Sequence, residues 1–216
     1  KPIIGIEAFL TPRTARGYRT RVRWGSGGGD DVSGGGAYTH MTLLSETTEG
    51  MHNLFRLSSL ASIEGYYFKP RMDRELLQTY SRGIIATTGC PSGEIQTRLR
   101  LGQVAEAREA AAEFQDLFGK DNFFCEIMDH GLDIERRVQK ELIQLARDLS
   151  MPLVATNDLH YTHQSDAEAH SALLCVQSGS TLDDPNRFRF DGDGYYLKSA
   201  AEMRHLFREL PEACDN

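Results

Sequence analysis

The residues Asn157-Asp158-Leu159-His160 close an apolar run, Pro152-Leu153-Val154-Ala155-Thr156, that has the character of a buried strand. A carboxylate and an imidazole two positions apart at a strand's end point to the same side. At the C-terminal end of a strand in a barrel of parallel strands, such a pair is suited to hold a metal ion, and the chemistry would be metal-assisted reaction at a phosphate or carbonyl. The plainer alternative is that Asp158 caps the following turn and His160 is a satisfied loop histidine. The pair alone does not decide between the two.

Further polar residues fall within or just after other expected strands: Glu7, His40, Cys90, Glu126 and His130. Each has an ordinary alternative role, Glu7 as an edge-strand carboxylate, His40 as a strand-end hydrogen-bonder, Cys90 as a small buried residue. Together with Asp158 and His160 they form the mixture of thiolate, imidazole and carboxylate that Zn²⁺ accepts, gathered from several strand ends. His52, His170 and His205 lie in expected helices and suit structural roles, whereas His163 is a loop residue placed to touch a ligand.

The elements that must position these residues alternate along the chain. Ile3–Ala8 is strand-like from its first residues, and His40–Leu44, Gly83–Thr88 and Phe123–Met128 are further strands. Helices are expected with Met51, Leu54, Phe55 and Ser58 on one face, from Val104 to Phe118 with Gly119 as the stop, and from Asp133 to before Pro152. Two capping boxes, Ser165-Asp166-Ala167-Glu168 and Ser199-Ala200-Ala201-Glu202, mark later helix starts. This rhythm is that of an α/β fold with a mainly parallel sheet, open or closed into a barrel. Residues 16–36, with two Gly-Gly-Gly runs, are expected to form a long mobile insertion loop rather than a phosphate cradle.

The chain's 216 residues fit one domain, somewhat short of the roughly 250 of a complete (β/α) barrel. A net charge of −7 argues against nucleic-acid binding by phosphate contacts alone, while leaving room for a local basic groove. No signal peptide or membrane span is recognisable, so a cytoplasmic protein without a membrane partner is expected. Cys90, Cys125, Cys175 and Cys214 lack zinc-ribbon or disulfide spacing and are expected as thiols, mostly buried.

Several motifs carry a resemblance: Thr87-Thr88-Gly89-Cys90-Pro91-Ser92-Gly93-Glu94, Glu126-Ile127-Met128-Asp129-His130-Gly131, Ala155–Tyr161, and His40–Leu44 followed by Asn53–Ser59. In type and order they resemble the PHP (polymerase and histidinol phosphatase) domain of bacterial replicative DNA polymerase III alpha subunits. Asp183-Asp184-Pro185 and Phe190–Tyr196 resemble the family's segment leading out toward the polymerase core, here about residues 180–216. The resemblance implies a distorted (β/α)₇ barrel and up to three divalent metal ions, Zn²⁺ or Mn²⁺, at the strand C-termini. It carries over Glu7, His40, Cys90, Asp158 and His160 as ligands, with Asp158 and His160 nearest the chemistry. Glu126 and His130 are implied as substrate-binding or ligand-orienting partners. The family's first motif, an H-x-H on the first strand, has no counterpart, so the barrel is expected to lack its first strand or strands. On that view the 216 residues alone would be inactive and poorly stable.

With a full ligand set, the resemblance implies 3′→5′ exonuclease proofreading at a DNA primer end, within a polymerase chain that also engages the sliding clamp and other replisome subunits. The rival implication is a non-catalytic scaffold that stabilises the polymerase and docks a separate proofreading subunit. A small-molecule phosphatase like histidinol phosphatase is a third, disfavoured by the polymerase-like flanking motifs.

Overall fold

The computed structural model describes residues 2–216. Strand β1 (Gly5–Leu10) is followed by a long connection whose only ordered element is a short, irregular α1 (Ser33–Gly36). Then come β2 (Thr39–Ser45), α2 (Thr48–Glu64), β3 (Arg71–Met72), α3 (Arg74–Tyr80), β4 (Ile84–Thr87), α4 (Glu94–Arg100) and α5 (Val104–Phe118). β5 (Phe123–Ile127), α6 (Asp133–Asp148) and β6 (Leu153–Ala155) lead to a 3-10 turn (Gln164–Asp166), α7 (Ala167–Ser178), α8 (Ala200–Leu206) and α9 (Glu212–Asp215). Among the described residues, no helix is long and apolar enough to cross a membrane.

The six strands form one sheet in the order β3-β1-β2-β4-β5-β6, which takes the open form of the two expected and corrects the expectation of a mainly parallel sheet. The sheet is not closed, because the short strands β3 and β6 are its two edges. Nor is it mainly parallel around its first strands, for β2 runs antiparallel to both β1 and β4. The cause is the connection between β1 and β2. It contains no crossover helix to carry the chain back for a parallel pairing. Parallel pairing appears where the chain departs and returns through helices, as for β1 with β3 and β4 with β5.

In β2, Thr39, Met41 and Leu43 are buried while His40, Thr42 and Leu44 alternate to the other face. The register sets Phe9 opposite His40 and Glu7 opposite Thr42, so Glu7, Phe9 and His40 share that second face. The core face is covered by α2 through Leu54, as expected, and through Leu57 and Ala61, which the expected stripe did not include; Phe55 and Ser58 face outward, and buried Asn53 donates to the Arg82 carbonyl (2.9 Å). α5 has the expected bounds, with Ala107, Ala111, Phe114 and Phe118 buried and Val104 exposed.

The glycine-rich connection is tied down at several points. Asp31 accepts from the backbone N–H of Trp24 (2.9 Å) and Val32 (2.8 Å), and the Arg98 guanidinium stacks 3.6 Å from the Trp24 ring. Arg71, fully buried, donates to the carbonyls of Gly65, Ala37 and Arg16 (3.1 Å each) and of Tyr18 (2.7 Å). Burial holds its pKa below the usual guanidinium range, and neighbouring Arg19 adds to that effect. All four cysteines are thiols; Cys125 and Cys175 are buried, Cys90 and Cys214 half-buried.

Two compact units divide the chain. The first comprises residues up to Glu126 together with Arg137–Leu153, and the second Ile127–Arg136 with Val154–Asn216. Within the second, the residues before α7 depart from expectation: a capping box of His163 and Asp166 opens the 3-10 turn, and Ser165 and Glu168 form none, whereas Ser199 and Glu202 form the expected box at α8.

Candidate metal-binding residues

In the first unit, Glu7, His40 and Cys90 come together. His40 Nδ1 lies 2.7 Å from Glu7 Oε1 and 3.8 Å from Cys90 Sγ. The ring is held edge-on against Phe9 (centroids 5.2 Å apart) and tilted against Tyr38 (5.6 Å). Burial, with the Glu7 carboxylate adding to it, pushes the Tyr38 phenol up, so that it stays a neutral hydroxyl near the group. Cys90 reaches His40 because the turn after β4 folds tightly onto β2: the His40 N–H donates to the Ser92 carbonyl (3.1 Å) and the Gly93 N–H to the Cys90 carbonyl (2.8 Å).

Gly89 makes that approach possible. Its φ is +79°, and a Cβ there would stand 2.7 Å from the His40 carbonyl oxygen. Gly89→Ala is expected to cost about 2 kcal/mol or more, from left-handed strain and the backbone clash together. It should push Cys90 away from His40, and alkylation of Cys90 mapped by mass spectrometry should accelerate several-fold. An unchanged rate would show that Gly89 does not set the approach.

Glu126 is turned into β4. Its carboxylate accepts from the Thr87 hydroxyl at 2.5 Å, and its N–H donates to Thr88 Oγ1 at 3.0 Å. The adjacent Cys125 is fully buried and, by desolvation, its thiol is pushed up to about 12, which makes it a packing residue rather than a nucleophile.

In the second unit, Asp158 and His160 are held by a segment from far along the chain. The His160 N–H donates to the Tyr195 carbonyl (2.9 Å), and Tyr161 bridges to Tyr196. Asn157 donates to the carbonyls of Gly194 (2.9 Å) and Tyr196 (2.8 Å), while Lys198 donates to Asn157 Oδ1 (2.9 Å). The stretch around Tyr195, which the sequence suggests as a lead-out, is thus folded back as a brace. Asp158 has φ +42°, and its carbonyl accepts from His160 Nδ1 at 2.6 Å. That bond leaves His160 Nε2 as the nitrogen with a free lone pair, the tautomer a metal ligand needs. The His160 ring is enclosed by Phe190 (4.5 Å), His170 (5.3 Å) and Tyr195 (5.9 Å).

His130 is built differently. Nδ1 donates to Glu135 Oε1 (2.7 Å), Nε2 to the Asn157 carbonyl (3.0 Å), and the ring stacks on Tyr195 (4.2 Å, 14°). With both nitrogens donating, neither has a lone pair to give a metal, so His130 braces the Asp158 loop through Asn157. Burial opposes its charge, but the bonds to Glu135 and Asn157 prevail and raise its pKa. Burial likewise opposes ionisation of Glu135, and the His130 ring and N–H override it and hold that carboxyl low.

This pair has a defined pH signature. The stabilisation from His130 is whole below its ordinary 6.5 and is lost as pH rises through its raised value; that from Glu135 is whole above its ordinary 4.5 and is lost as pH falls through its lowered value. Hydrogen exchange around Asn157–Tyr161 is expected to be slowest between these two ordinary values and to quicken, after correction for intrinsic rates, on either side. Protection that keeps rising above pH 8 would contradict the assignment.

Among the described residues, no group of three or more His, Cys, Asp or Glu side chains is spaced as a ready cage for a metal ion. The donor chemistry nevertheless fits. Two ligands on a tetrahedral Zn²⁺ stand roughly 3.3–3.8 Å apart, given bonds of about 2.0–2.3 Å. The 3.8 Å between Cys90 Sγ and His40 Nδ1 is of this size, but Nδ1 is engaged by Glu7 at a hydrogen-bond length of 2.7 Å, so the nitrogen His40 would offer a metal is Nε2. Glu7, His40 and Cys90 belong to one unit and Asp158 and His160 to the other. Glu135 was not singled out from the sequence, and Asn157 and Tyr195 were named only within motifs, without the bracing role they have. Only Glu135 left a signal there, an acidic residue in the first turn of α6 five positions after His130.

An α/β sheet with these residues at its strand ends defines a class: the chain belongs to the PHP domain family, whose sequence model matches residues 1–130. DNA polymerase III subunit alpha of Saccharopolyspora erythraea is 59% identical over 226 residues, covering 100% of this chain and 19% of that protein. The subunit of the same name from Mycobacterium tuberculosis is 58% identical over 220 residues, covering 100% and 18%, and that of Treponema pallidum 42% over 214 residues, covering 98% and 17%. The chain therefore spans less than a fifth of the length of these relatives.

Proposed function

We propose that this domain is part of a bacterial replicative DNA polymerase alpha subunit, and that it removes nucleotides from a DNA 3′ end by metal-dependent phosphodiester hydrolysis. The gathering of Glu7, His40 and Cys90 around one imidazole nitrogen, in a PHP domain, is the observation that carries the reading. Those three, with Asp158 and His160, would hold divalent ions, Zn²⁺ or Mn²⁺, in a sheet of the family's distorted (β/α)₇ barrel type. The ions would supply a hydroxide nucleophile near neutral pH and charge neutralisation at the scissile phosphate. The protein's part is to keep His160 Nε2 and the Cys90 thiol presented, through the Asp158 carbonyl and the Gly89 turn. The primer 3′ end, the remainder of the polymerase chain, the sliding clamp and other replisome subunits are the partners this reading implies, in the cytoplasm.

The Glu7–His40 hydrogen bond favours a second reading, a scaffold in which these residues stabilise the domain as a satisfied polar pair and a separate subunit proofreads. His40→Ala in the full-length protein separates them. The nuclease reading expects loss of mismatched 3′-nucleotide removal by about 10–100-fold or more, with polymerisation retained. Equal removal by both proteins would leave only the scaffold.

A further inference from the structure

Residues 12–23 contain five arginines and no carboxylate, in a chain of net charge −7. Arg13 and Arg16 are engaged in ion pairs, with Glu94 (2.9 Å) and Glu64 (2.6 Å) among others. Arg21 is exposed, and its guanidinium lies 5.0 Å from the ring of Phe68.

Phe68 is an unusual residue. It sits at the tip of a tight turn closed by a Tyr67–Lys69 bridge, the Tyr67 N–H donating to the Lys69 carbonyl at 3.0 Å. Its φ is +64°, a left-handed conformation that bulky side chains rarely adopt, and the residue is 53% exposed, its ring tilted against that of Tyr67 (centroids 4.5 Å apart). Neither core packing nor backbone preference accounts for a phenylalanine here, and strain of this kind concentrates at ligand contacts. Tyr18, whose carbonyl is fixed by Arg71, presents a second exposed ring. The same turn brings Lys69 Nζ to 5.2 Å from the Phe9 ring, and Phe9 meets His40 edge-on. Cationic and aromatic groups therefore alternate from Arg21 through Phe68, Lys69 and Phe9 to His40.

We propose that this line is a track for single-stranded DNA, with Phe68 as a stacking platform for a base and Arg21 and Lys69 as phosphate contacts, delivering the strand's end to His40. Every base has a π-face, and aromatic platforms interleaved with cations are how proteins hold single strands without reading their sequence. The inference rests on the nuclease reading for the fate of the strand, but the binding itself does not require hydrolysis.

The test uses full-length protein and a single-stranded oligothymidylate carrying 4-thiothymidine near its 3′ end, irradiated and mapped by mass spectrometry. Crosslinks are expected at Phe68 or Tyr18. Phe68→Gly, which also relaxes the positive φ and so spares the fold, should lower their yield about tenfold, within the range for loss of one base–aromatic stack. Phe68→Tyr should restore it. Arg21→Ala with Lys69→Ala should also lower the yield and flatten its salt dependence, by a logarithmic slope of roughly 0.7 per phosphate contact. Crosslinks that survive Phe68→Gly unchanged, or that map elsewhere while mismatched 3′ ends are still removed, would overturn the track and leave the nuclease reading standing. Crosslinks at Phe68 in a protein without hydrolysis would support the track and remove the nuclease reading.

Discussion

Replacement of Asp158 by Asn is expected to lower 3′-nucleotide removal by roughly a hundredfold or more, and metal content with it, while polymerisation survives. The substitution isolates charge. Asp158 has φ +42°, a conformation that Asn tolerates better than almost any residue with a side chain, so the backbone has no reason to move. The His160 ring is oriented by the main-chain carbonyl of residue 158, which the variant keeps. The brace through Asn157, Gly194 and Tyr196 is equally untouched. What changes is one negative charge, in a site that on the proposed reading balances cations. Metal analysis and a labelled, mismatched primer, wild type and variant compared in the same buffer, read the outcome. A variant that retains hydrolysis would remove Asp158 from the metal site; one that also loses polymerisation and aggregates would make the metal structural.

Arg71→Leu is expected to destabilise the first unit by about 3–5 kcal/mol, the largest stability effect of a single change anticipated here. The guanidinium is completely buried, has four backbone carbonyls as acceptors, and stacks 4.9 Å from the Tyr67 ring. Leucine removes the side-chain donor from the Ala37, Arg16 and Tyr18 carbonyls, while the Gly65 carbonyl keeps the residue-71 N–H (3.4 Å), and it releases the connection between β1 and β2 from β3. Lysine should rescue little, since a single ammonium cannot reproduce the planar fork. Hydrogen exchange on the full-length protein is the appropriate readout. Amides of residues 16–38 should lose protection far more than those of α5, and equal protection in variant and wild type would show that the loop is held by other contacts.

The sequence revealed those parts of this fold that depend on local repetition. α5 is bounded as expected because small and aromatic residues recur at helical spacing and Gly119 stops it. The inward face of α2 was misjudged because composition favours Phe55 over Asn53, and only the Arg82 carbonyl, 29 positions away, explains why the asparagine is inside. β3 is two residues long and has no pattern to detect. The antiparallel placement of β2 follows from a connection without a helix, which a strand-by-strand reading does not weigh. At the site, Glu7, His40 and Cys90 were legible as strand-end polar residues, although their meeting spans 33 and 50 positions. The His130–Glu135–Asn157 brace and the return of Tyr195 were not, because each partner alone is an ordinary surface residue type and nothing local links them.

The activity proposed for this domain is metal-dependent removal of nucleotides from a DNA 3′ end. It is tested most directly by assaying the full-length protein on a mismatched primer after metal is stripped by a chelator and after Zn²⁺ or Mn²⁺ is restored. The account predicts that removal of the mismatched nucleotide disappears on stripping, while the domain stays folded, and returns with the restored ion. Removal that persists at full rate in verified metal-free protein, or that is absent from the fully metallated protein, would contradict it.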